Sequence, residues 1–80
     1  MNPELSQAIE QFAQNLLTKK EIEVITGTAR NTVGFNEAFQ KGLLLRKSSI
    51  HKSILDLAEA GSAPAQQMAR DIMRKNEYRD

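Results

Sequence analysis

Caps and glycines cut this chain into segments too short for anything but small helices. Thr18-Lys19-Lys20-Glu21 has the capping-box form, in which the Thr and Glu side chains satisfy backbone donors at a helix start. Asn2, followed by Pro3 and Glu4, has the same signature at the N-terminus, as does Ser62 ahead of Pro64. Gly27, Gly42 and Gly61 mark helix ends between them, and Gly34 lies within one segment. Apolar residues recur at helical spacing in each segment. The reading is all-α: a single helical domain over 1–80, built as a small bundle of about five short helices. Leu5, Ala8, Ile9, Phe12, Leu16 and Leu17 stripe the first, which ends near Leu17. Ile22 and Ile25 anchor the second. A third, capped by Thr28, begins near Ala29 and buries Val33, Ala38 and Phe39, with Phe35 a weaker candidate. The fourth runs from Leu43 to Ala60 with Leu43, Ile50, Ile54, Leu57 and Ala58 on one face. Ala65, Met68, Ala69, Ile72 and Met73 stripe the fifth, and residues 76–80 fray.

Composition removes most chemistries. There is no Cys and one His, His51, so thiolate sites are excluded and a histidine triad or metal site would hang on one side chain. Asp56 and Glu59 read as a solvated pair, Met68 and Met73 as core fillers, and no glycine-rich phosphate loop occurs. No catalytic residue, metal ligand or cofactor is expected, and the chain does not read as an enzyme. No apolar run exceeds Leu43-Leu44-Leu45 and the N-terminus lacks a signal-peptide pattern, so the expected address is the cytoplasm, without membrane contact. The net charge of +1 hides a gradient: −2 over 1–17, +4 over 18–52 and −1 over 53–80. A basic middle points toward phosphate-rich partners.

That middle holds the informative stretch. A short helix ending in Gly27, followed by Arg30-Asn31-Thr32 and then Val33, has the pattern of a helix-turn-helix over about 18–41, with supporting helices over about 43–75. Arg30 carries a donor fork suited to guanine or phosphate, and Asn31 suits adenine. Lys19, Lys20 and Thr32 can meet the DNA backbone. The candidate DNA-binding set is therefore Lys19, Lys20, Arg30, Asn31 and Thr32.

The string Thr26-Gly27-Thr28-Ala29-Arg30-Asn31-Thr32-Val33 resembles the turn of bacterial and phage helix-turn-helix proteins. The segments that follow, Phe35 to Gly42, Leu43 to Arg46, Ile50 to Gly61 and Ala63 to Ile72, resemble the small subunit of phage terminases, over roughly 18–75 in all. The resemblance implies recognition of double-stranded viral DNA for packaging in the host cytoplasm, assembly as a homo-oligomer, and delivery of DNA to a large terminase ATPase subunit, with no catalysis of its own. Four features depart from the pattern. Glu23 stands where the two helices pack closest, so its carboxylate must swing out or open the crossing. Thr28 and Ala29 replace the usual aliphatic and Ser, and Gly34 and Asn36 interrupt the recognition helix. Two other readings fit the same residues: a small helical protein-protein adaptor on a degenerate helix-turn-helix, and a phage or bacterial transcription regulator.

Overall fold

The computed structural model describes residues 1–77, and among these it is helical without strands. Four helices follow one another: α1 (Pro3–Gln14), α2 (Lys19–Thr26), α3 (Phe35–Glu59) and α4 (Ala63–Glu77). Two compact units result, Met1–Lys47 and Ser48–Asp80, with α3 contributing to both. No described helix is long and apolar enough to cross a membrane.

The N-terminal unit is built from its caps inward. Asn2 accepts the Leu5 N–H at 2.7 Å, which fixes the start of α1. Ile9 and Ala13 on α1, Ile22 on α2, and Phe35, Ala38 and Phe39 on α3 form the core, with Leu5, Phe12, Leu17 and Leu43 packed around it. Ile9, Ile22 and Phe35 are completely buried.

The end of α1 differs from the expected stripe. The helix stops at Gln14, because Leu16 N–H bonds to Ala13 O and Leu17 N–H to Phe12 O, the bond pair of a Schellman closure. Leu16 occupies the left-handed position at φ 65 and is 62% exposed, so it leaves the stripe it was expected to join. Leu17 and Phe12, which occupy the two positions where such a closure usually carries apolar residues, both pack against the core. A left-handed conformation costs an L-residue about 1 kcal/mol. Leu16→Gly is therefore expected to raise stability by about 0.5–1 kcal/mol, seen as a rise in melting temperature of roughly 3–6 °C. A fall would mean that the exposed side chain contributes more than its strain removes.

The third and fourth expected helices are one. Gly42 is not a terminator but an interior residue of α3, buried at its crossing with α1. A Cβ built on Gly42 would run into the Glu10 carbonyl oxygen and stand 2.6 Å from Ala13 Cβ. Glycine is there because the backbones of α1 and α3 meet at that point. Two polar contacts flank the crossing. Arg46 Nε donates to Gln14 O at 2.6 Å, at the electronegative end of α1, and Lys41 Nζ lies 3.6 Å from Glu10 Oε2.

In the second unit, α3 ends with the same bond pair as α1, from Gly61 N–H to Ala58 O and Ser62 N–H to Leu57 O. Ser62 Oγ then accepts the Ala65 N–H at 3.4 Å and opens α4, with Pro64 in its first turn. Ala65 and Ala69 are buried, and Ile54, Ala58 and Ile72 half-buried, while Gln66 Nε2 donates to Ala58 O at 3.1 Å. The wider apolar face expected here is not covered: Ile50, Leu57, Met68 and Met73 are each 44–57% exposed, so the methionines are not core fillers. His51 is half-buried. Helix α4 continues through residues 76 and 77, which were expected to fray; residues 78–80 lie outside the described part.

Candidate nucleic-acid interface

The capping box forms as its residues dictate. Thr18 Oγ1 accepts the Glu21 N–H at 3.2 Å, and Glu21 Oε1 accepts the Thr18 N–H at 2.9 Å. That pair starts α2, and Ile22 pins it to the core. Gly27, in the left-handed conformation at φ 67, ends it, donating its N–H to Glu23 O at 2.8 Å.

No helix begins at Ala29. Residues 27–34 form an irregular connection of consecutive turns, closed by Thr32 N–H to Ala29 O and Phe35 N–H to Thr32 O. Gly34 sits at φ 92, outside any right-handed helix, so a helix from Ala29 would break at that residue. Thr28 therefore has no helix to cap; its N–H bonds to Thr26 Oγ1 at 3.3 Å, while that hydroxyl donates to Ile22 O at 2.7 Å. Val33, the expected anchor, is 87% exposed, and Phe35 takes the buried place.

Glu23 resolves its crowding by swinging out to the connection. Its Oε2 accepts the Arg30 backbone N–H at 2.9 Å. Its Oε1 accepts Arg30 Nε–H at 2.8 Å and lies 2.6 Å from Nη2. One carboxylate thus pins both the backbone and the side chain of Arg30, which keeps its side chain 53% exposed. The sequence signal was available: an acid on the last turns of one helix, seven residues before an arginine across a glycine bend.

The five expected contact residues divide into two groups. Arg30, Asn31 and Thr32 share one turn, with Arg30 and Asn31 exposed and Thr32 half-buried. Lys19 is engaged elsewhere, donating from Nζ to Asn36 Oδ1 at 3.2 Å and lying 5.2 Å from the centre of the Phe39 ring. Lys20, beside it in sequence, is exposed. Among the described residues no three His, Asp or Glu side chains come together to hold a metal ion.

The two glutamates of α2 are held low. The Arg30 guanidinium, and then the Arg30 N–H, hold the Glu23 carboxyl below the usual glutamate range, and the Thr18 N–H, followed by its hydroxyl, does the same for Glu21. A lowered folded-state pKa gives stability that is full above the unfolded value of about 4.3 and is lost as pH falls through the folded value. Carboxyl titration by NMR is expected to place both midpoints below ordinary glutamate. Arg30→Ala should return Glu23 toward the ordinary value and leave Glu21 where it is. A Glu23 midpoint unmoved by that change would remove the clamp. No family model, curated protein or solved structure matches this chain.

Proposed function

We propose that this chain binds double-stranded DNA through the connection between α2 and α3, in the manner of a terminase small subunit that recognises viral DNA for packaging. In this reading α2, the connection and α3 serve as an extended helix-turn-helix. The observation that carries it is the Glu23–Arg30 clamp, which holds Arg30, with Asn31 after it, on an exposed turn that follows α2. Lys20, and Lys19 by exchanging its Asn36 contact, supply phosphate contacts, and Thr32 adds a hydroxyl. The chain contributes binding and leaves catalysis to a large ATPase subunit.

Self-association belongs to the same reading. The second unit buries two alanines and leaves Ile50, Leu57, Met68 and Met73 open, and helical units this small commonly reach stability by associating. Light scattering on the full chain is expected to give a species larger than one copy.

Anisotropy of a labelled duplex tests the DNA contact. Affinity should fall about 10–100-fold between 50 and 200 mM salt, as expected for a few neutralised phosphates. Absence of binding at micromolar protein, or a flat salt dependence, would refute it.

A second reading, the protein-protein adaptor, is favoured by one observation. Val33 rims a hollow of about 300 Å³ with Met1, Ala38, Glu37 and Lys41, a mixed apolar and charged surface suited to a peptide. A strict monomer without DNA affinity would favour it.

A further inference from the structure

We propose that Glu23 is a positioning residue: it holds the side edge of the Arg30 guanidinium so that the end edge reads O6 and N7 of a guanine. The inference rests on the DNA-binding reading and adds the base that is read and the residue that aims the reader.

The argument is a count of donors. Arginine has five N–H groups in a planar fork. Glu23 Oε1 takes Nε–H at 2.8 Å and lies 2.6 Å from Nη2, which engages the Nε/Nη2 edge. The Nη1/Nη2 edge keeps three N–H groups, two of them parallel. Two parallel donors match the paired acceptors that guanine shows in the major groove. Glu23 Oε2 also holds the Arg30 backbone N–H, so the base of the side chain and its head are anchored to one carboxylate. An arginine fixed this way has lost much of its rotamer freedom before DNA arrives, which favours a geometric contact.

Charge points the same way. The Glu23–Arg30 pair is close to neutral, so it attracts phosphate weakly, and a phosphate at the free edge would also meet the Glu23 carboxylate. A neutral base edge avoids that repulsion. The clamp converts a general cation into a directional donor pair.

Selection of duplexes from a random pool by the full chain, followed by replacement of each enriched guanine with 7-deazaguanine, tests this directly. The replacement removes N7 and leaves the charge unchanged. At least one replacement should weaken wild-type binding about tenfold. Glu23→Gln keeps an acceptor for the Arg30 N–H but loses the charge; its penalty at that guanine should fall below twofold, and its salt slope should steepen by about one. Arg30→Lys should lose the guanine penalty while keeping salt-dependent binding, and it carries the test if thermal melting shows Glu23→Gln to be unfolded. An enriched site indifferent to every guanine N7, or a Glu23→Gln variant with the full penalty, would overturn the inference and leave DNA binding standing. A wild-type chain that neither binds nor enriches any duplex would end both.

Discussion

Phe35→Ala is expected to destabilise the N-terminal unit by about 3–5 kcal/mol, enough to abolish cooperative melting at moderate temperature. Phe35 is the largest of the completely buried side chains, and it enters a core shared by three helices. Removing the ring forfeits its transfer free energy and leaves a cavity in the cluster of Ile9, Ala13, Ile22, Ala38 and Phe39 that short helices fill poorly. Small domains start from a margin of only about 5 kcal/mol or slightly more. The matched control is Val33→Ala, two residues earlier. Val33 is 87% exposed, so its truncation should stay within about 0.5 kcal/mol. Thermal melting by circular dichroism reads both. Equal effects would contradict the burial pattern on which the core assignment rests.

Gly42→Ala should lower stability by about 2–3 kcal/mol, although the same change in an exposed helix interior would raise it by about 1 kcal/mol. The sign is the test. The added methyl group meets the Glu10 carbonyl and Ala13 Cβ, and both belong to the rigid surface of α1, so relief requires the two helices to separate. Separation also weakens the Arg46 bond to Gln14 O, which spans the same pair of helices. Chemical denaturation of the variant should show a lower midpoint with an unchanged slope. A higher midpoint would mean that α1 and α3 do not approach at this glycine.

These two positions mark what the sequence could and could not disclose. Most local signals read correctly, the Thr28 cap excepted. Asn2, the Thr18–Glu21 capping box, the left-handed Gly27 and the Ser62 cap all act within a turn of their own position, so their residue types suffice. Gly42 shows where local reading stops. A glycine that ends a helix and a glycine that admits a neighbouring backbone are the same residue, and only the packing of α1 separates them. The exchange of Val33 for Phe35 has a similar origin. Counting from a helix start at Ala29 places Val33 inward, but Gly34 at φ 92 delays the helix to Phe35 and leaves Val33 outside it, while Ala38 and Phe39 are buried as expected. The open faces of α3 and α4 in the second unit were over-read because helical periodicity reports which side is apolar and not whether anything covers it.

The candidate interface was legible in part. Arg30, Asn31 and Thr32 do share a turn beside α2, as their order after Gly27 implied, yet they ride on a connection and not on a helix. Glu23 was read as an obstacle between helices. Its carboxylate instead spans seven residues to Arg30, a pairing that the acid ahead of the glycine bend and the arginine after it did signal. Lys19 was read as free for phosphate and is drawn to Asn36 and the Phe39 ring by the return of α3.

The central claim is that duplex DNA meets the chain at the connection between α2 and α3. Amide-resolved NMR of the labelled full chain, titrated with a short duplex at low salt, tests it most directly. The account predicts that the largest shifts fall on Arg30, Asn31 and Thr32, with Lys19 and Lys20 next, and that added salt reverses them. Shifts confined to residues 48–77, or none at saturating duplex, would contradict it.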